Sequence, residues 1–131
     1  MKKGYKALLA EANAAIEAVS PEEAAALAKR DDVQLVDIRD IRELQREGKV
    51  PNALHAPRGM LEFWVDPESP YHKEIFSSGK TFIFYCASGW RSALATKAMQ
   101  DMGLEPVKHI EGGFSAWKKA GLPVEQVEKK D

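Results

Sequence analysis

The chain has 131 residues, 44% hydrophobic and 30% charged, with a net charge of −1 and a single cysteine. That length and balance describe one globular domain with its own core and exclude a disordered segment. The near-neutral charge offers no broad basic field for nucleic acid or an anionic membrane surface, and one thiol excludes an intrachain disulfide.

The N-terminus begins with basic residues, and its apolar run Ala7-Leu8-Leu9-Ala10 stops at Glu11, too short for the core of a secretion signal. No stretch approaches the roughly 20 apolar residues of a membrane span. The expected location is cytoplasmic, where a free thiol stays reduced. His55, His72 and His109 lie far apart without zinc-ligand spacing, so neither a metal nor a cofactor is expected.

Tyr5, Leu8, Leu9, Ala12, Ile16 and Val19 share one helical face, which predicts an amphipathic helix over residues 5–19. Ser20-Pro21-Glu22-Glu23 opens a second helix, with Ser20 as N-cap and Glu23 completing a capping box. A buried strand follows at Val33–Ile38, then a helix over residues 41–47 entered at Asp40 and ended by Gly48. Ala53–Ala56 reads as a short strand before Pro57-Arg58-Gly59, and Met60–Trp64 as a helical turn. Residues 65–80 read as a surface loop with a short helix near Lys73–Phe76. Thr81–Tyr85 is the clearest strand, being β-branched and aromatic. Helical spacing runs from Ser92 to Met102, a strand from Pro106 to Ile110, and a last helix from Phe114 to Ala120. The tail, 125–131, is charged and expected to fray. Such alternation predicts an α/β fold with a mostly parallel sheet and helices on both faces.

The lone cysteine sits where ligands bind in such sheets, beyond the carboxyl end of a strand. Gly89 lets the loop curl, the amides from Ala87 to Ser92 are expected to converge on the Cys86 sulfur, and the next helix aims its positive end there. These features favour the thiolate, and Arg91 adds a positive charge for an anionic substrate. Arg58 also follows a strand and should share this rim, as an anion contact or as a solvated side chain. Trp90 lies at the mouth of the site or on its rim. Asp37 with Arg39 reads as a structural brace, Trp117 and Phe114 as core anchors, and His55 and His109 as packing histidines.

Cys86-Ala87-Ser88-Gly89-Trp90-Arg91-Ser92 resembles the active-site loop of rhodanese-like domains. Val36-Asp37-Ile38-Arg39, with Glu43, Gly48, Pro51-Asn52-Ala53 and His55, is similar to the family's upstream signature. Gly112-Gly113-Phe114, Trp117, Gly121 and Pro123 are similar to its C-terminal one. The resemblance implies a rhodanese-like domain over 18–124, with an N-terminal helical extension over 1–17. It also implies a five-stranded parallel sheet and a sulfurtransferase. Cys86 would take sulfane sulfur from a small anionic donor such as thiosulfate and pass it to cyanide or a thiol, a protein thiol included. Ala87, Ser88, Gly89, Trp90, Arg91, Ser92 and Arg58 would bind the substrate, without nucleic acid, membrane or cofactor. Two other functions stay open: a sulfur-relay or binding module, and a cysteine phosphatase of the related fold. Phosphatases place one residue more between cysteine and arginine than the four here.

Overall fold

Strong caps and short apolar strands set the order of elements. In the computed structural model, which describes residues 1–129, helix α1 spans Tyr5–Ala15 and strand β1 Glu17–Val19. Helix α2 covers Pro21–Leu27, β2 Val33–Asp37, α3 Ile41–Glu47 and β3 Leu54–His55. A single 3-10 turn, Arg58–Met60, leads into α4 at Leu61–Val65, and a second one lies at Glu74–Ser77. Then come β4 at Thr81–Tyr85, α5 at Trp90–Met102, β5 at Val107–Ile110 and α6 at Gly113–Lys119. The Ser20 hydroxyl accepts from the Glu23 amide at 3.1 Å. Asp40 and Glu43 form the reciprocal capping box that starts α3.

The five strands form one sheet in the order β1-β5-β4-β2-β3, with every pairing parallel. Central β4 alternates between two cores. Phe82, Phe84 and then Cys86 face the side covered by α4 and α5. Ile83 and Tyr85 face the side of α2 and α6, with Phe114 and Trp117. Full burial of a Phe such as Phe82 or Phe84 is worth about 1.5–3 kcal/mol. The same period of two sends Cys86 toward the N-terminus of α5.

Helix α1 is shorter than the expected 5–19. Ile16 is extended (φ −110°, ψ 165°), and Glu17–Val19 pairs with Lys108–Ile110 as an edge strand. Val19 falls on the apolar face of a helix by spacing alone, and a three-residue strand is too short to show its own period. The expected boundary between 17 and 18 thus falls within a strand. Helix α1 runs parallel to α5: the Tyr5 and Trp90 rings lie 5.3 Å apart at one end, and Gln100 donates to the Ala15 carbonyl at the other. Its packing is shallow, with Ala12 as its one buried residue.

Helix α5 begins at Trp90 rather than at Ser92, because Gly89 takes the left-handed conformation (φ 101°) and turns the chain at once into the helix. The tail is tied down at residue 125. Lys49 and Glu125 exchange backbone hydrogen bonds at 2.9 and 2.8 Å. The fraying expected of the tail's last two residues lies outside the described residues.

Candidate active site

Cys86 leaves the central strand with its side chain 1% exposed. Its sulfur accepts from the Gly89 amide at 3.2 Å and from the Ser92 amide at 3.4 Å. The Ser92 hydroxyl lies 3.5 Å away. This cradle is narrower than the expected run of amides from Ala87 to Ser92. Only the first and last amides of the turn that Gly89 makes into α5 point at Sγ, and beyond them the Ala93 amide is spent on the Gly89 carbonyl at 3.1 Å. Among the described residues the amides of Ala87 and Ser88 bond to no backbone carbonyl.

Arg91 is not a free cation. Its two terminal nitrogens donate to both Glu43 oxygens at 2.7 and 2.9 Å. The Arg91 bond holds the Glu43 carboxyl below its ordinary value. Glu43, with a smaller contribution from Cys86, holds the guanidinium above its own. Arg91 therefore links α3 to the loop, with its charge largely compensated. Glu43 lies 48 residues away in sequence. Nothing local announces the pairing, and α3 displays Glu43 first as a capping residue.

Residues 20–120 match the sequence profile of the Rhodanese-like domain. The chain belongs to this family. A protein named Sulfurtransferase from Allochromatium vinosum is 34% identical over 98 residues, 75% of this chain and 83% of that one. An uncharacterised Synechocystis protein is 34% identical over 105 residues, 80% of this chain, which spans only 54% of that relative's length. A solved structure from Rhodopseudomonas palustris belongs to a protein of unknown function described as a possible tyrosine phosphatase. It matches with a TM-score of 0.93 at 57% identity, over 95% of this chain and 96% of that one.

The two flanking signatures of the rhodanese-like domain have structural work here. Gly113 begins α6 at φ +61°, and a Cβ on it would lie 2.5 Å from the Cys86 carbonyl oxygen and 2.8 Å from the Ala87 carbonyl. The close approach lets Phe114 N donate to Cys86 O at 2.8 Å and Ser115 N to Ala87 O at 3.0 Å. The C-terminal signature is thus a clamp on the Cys86 loop.

Asp37 and Arg39 form a buried ion pair at 2.7 Å, with side chains 0% and 1% exposed. Arg39 also donates to the Gly48 carbonyl at 2.7 Å and lies 4.3 Å over the Phe114 ring. The pair braces β2 to the turn after α3 and to α6, as a structural pair should. Burial, helped by Asp37, pushes the Tyr85 phenol up, and its oxygen accepts from the Val50 amide. His55 Nε2 donates to the Arg39 carbonyl at 2.7 Å. Trp117 is a core anchor whose Nε1 donates to the Pro123 carbonyl.

Two expected site residues stand apart from the sulfur. Arg58 donates to Glu62, one turn along, at 2.8 Å, and among the described residues it makes no hydrogen bond to the loop. Its carboxylate partner is local, at i+4, and holds the guanidinium. Trp90 is 58% exposed and rests on Tyr5 rather than over Cys86. His109 has a partner that packing alone does not require: its Nδ1 lies 2.9 Å from Ser92 Oγ. Burial lowers its tendency to protonate.

Proposed function

We propose that the protein is a sulfurtransferase that carries sulfane sulfur as a persulfide on Cys86. What supports this most directly is the pair of amides, Gly89 and Ser92, aimed at one nearly enclosed sulfur. In the first step the Cys86 thiolate attacks the outer sulfur of a donor such as thiosulfate. A new S–S bond forms, the donor S–S bond breaks, and its electron pair leaves with sulfite. In the second step cyanide or a thiol attacks the outer sulfur, and Cys86 departs as thiolate. The free amides of Ala87 and Ser88 are placed to receive charge on the outer sulfur. Trp90 contributes a rim surface, and the compensated Arg91 orients an anion more than it attracts one. Arg58 takes no part in this scheme.

The work is assigned to residues 18–124, with 1–17 as an extension whose helix α1 packs on α5 and whose Glu17 opens strand β1, in a reducing cytoplasm that suits a lone thiol. Among the described residues no helix is long and apolar enough to cross a membrane.

Phosphate-ester hydrolysis is a second reading, favoured by the Rhodopseudomonas palustris relative's description. A phosphoryl group needs its oxygens surrounded by donors and a guanidinium free to clamp them. Here Cys86 is 1% exposed and the guanidinium is held by Glu43. The test is intact mass after incubation with thiosulfate, beside an aryl phosphate assay. Wild type should gain about 32 Da, reversed by dithiothreitol, and Cys86→Ser should gain nothing. Arg91→Ala should slow adduct formation by about tenfold, the low end for a charged hydrogen bond. Phosphate release that depends on Cys86, without any adduct, would overturn the assignment.

A further inference from the structure

From Cys86 a second polar chain leads to the neighbouring strand β5. Sγ is 3.5 Å from Ser92 Oγ, and Ser92 Oγ is 2.9 Å from His109 Nδ1. Ser92 is fully buried and His109 is 4% exposed. The Thr96 hydroxyl is not part of the chain, since it donates to the Ser92 carbonyl at 2.7 Å. Among the described residues no buried side-chain nitrogen or oxygen is left without a partner. His109 Nε2 makes no protein hydrogen bond among them, so it reaches solvent. The ring borders a surface cavity of about 370 Å³, whose other walls include Asn13, Ala18, Gly89 and Glu111.

The Ser92 hydroxyl has one proton to place between two neighbours. Beside a thiol, Sγ–H donates to Oγ, the hydroxyl donates to Nδ1, and the imidazole proton sits on Nε2. Beside a thiolate, the hydroxyl must turn and donate to Sγ. Its oxygen is then open to a donor, and Nδ1–H supplies it. One hydroxyl therefore ties the charge on sulfur to the tautomer of a histidine on the neighbouring strand.

We propose that Ser92 and His109 form a proton relay through which the Cys86 thiol ionises, with His109 exchanging its Nε2–H tautomer for Nδ1–H. The Sγ–H bond breaks and Ser92 Oγ takes that proton while passing its own to Nδ1. Nε2 then releases its proton to water in the cavity. One proton reaches solvent, no group is oxidised or reduced, and the imidazole ends neutral. Burial opposes a stored imidazolium, and Glu111 is the charged group that favours one. The other neighbours do not titrate: Ala18 of β1 and Phe84 of β4 in register, and Asn13, Ser88 and Gly89 on the cavity side. His109 is thus a positioning residue that acts through Ser92. The relay rests on the reading of Cys86 as the nucleophile.

The test uses the intact protein with ¹⁵N-labelled histidine. Long-range ¹H–¹⁵N spectra across pH are compared with the rate of Cys86 alkylation. Wherever alkylation shows the thiolate, His109 should carry its proton on Nδ1, and in Cys86→Ala that preference should disappear. An Nε2–H tautomer beside the thiolate overturns the relay. In Ser92→Ala the thiolate fraction at fixed pH should fall about tenfold. His109→Leu should match it, and His109→Asn, whose amide sits where Nδ1 does, should recover most of the loss. An unchanged alkylation profile in folded Ser92→Ala refutes the relay as well. The two readings fail separately: a mass adduct with the wrong tautomer sinks the relay alone, whereas no adduct sinks the function assigned to Cys86.

Discussion

Gly113→Ala should cost both stability and, on the proposed function, turnover, because the loop that holds Cys86 leans on that glycine. A Cβ there would lie 2.5 Å from the Cys86 carbonyl oxygen, and ordinary contacts begin at 3.4 Å. The loop or α6 must retreat by about 0.9 Å, and both partners are backbone. An L side chain at φ +61° adds roughly 1–2 kcal/mol. Weakening the Phe114 and Ser115 amide bonds to the loop adds about 0.5–1.5 kcal/mol each. The expected loss is therefore about 2–5 kcal/mol in urea unfolding. The same retreat moves Sγ, and a misplacement near 1 Å costs on the order of 100-fold in rate. Gly121→Ala is the internal control. It has φ +75° with no heavy atom within 4 Å of the added Cβ, so it should lose only the conformational part and keep its rate of persulfide formation. Equal kinetics for Gly113→Ala and Gly121→Ala would refute the clamp, whatever their stabilities.

Two further outcomes follow from the ion pairs. Asp37→Asn leaves the buried Arg39 guanidinium without its counter-ion and should destabilise the fold by about 3–5 kcal/mol, read as a lower urea midpoint. Glu43 is held below its ordinary value by Arg91, so its stabilisation is present above the unfolded value of about 4.3 and is lost as pH falls through the depressed folded one. The stability gap between wild type and Glu43→Gln should be about 1 kcal/mol at neutral pH, after discounting for solvent screening of a partly exposed Arg91. It should shrink in acid, and a gap that widens there would contradict the pairing.

The order of elements was legible wherever local chemistry decides it. Ser20 and Asp40 cap helices through their own side chains, and the β-branched and aromatic run at Thr81–Tyr85 can be little else than a strand. Strand β1 was not legible, because its three residues gain their hydrogen bonds from β5, some 90 positions later. The site divides along the same line. Cys86, Gly89 and Ser92 meet within one turn of chain, so their spacing announced the cradle. Glu43 and His109 reach it only through the sheet and the packing of α3, and no spacing rule joins them to Cys86. For Arg58 the place after a strand is visible in the sequence, whereas its pairing with Glu62 depends on the 3-10 turn continuing into α4.

The position of Arg91 relative to Ser92 shapes the surroundings of Cys86 as much as the strand end does. Both lie in the first turn of α5, where successive side chains point about 100° apart. That rotation sends the guanidinium outward to Glu43 and turns the Ser92 amide and hydroxyl inward to Sγ. Both directions are counted from Gly89, the left-handed residue at which the helix starts. A single extra residue between Gly89 and Arg91 would rotate the pair by one step, taking the hydroxyl off sulfur and the guanidinium off its carboxylate together. The spacing of four residues between Cys86 and Arg91 therefore sets more than the width of the pocket. It decides that the sulfur is held by an amide pair and a polar chain leading to His109, while the cation is held against α3.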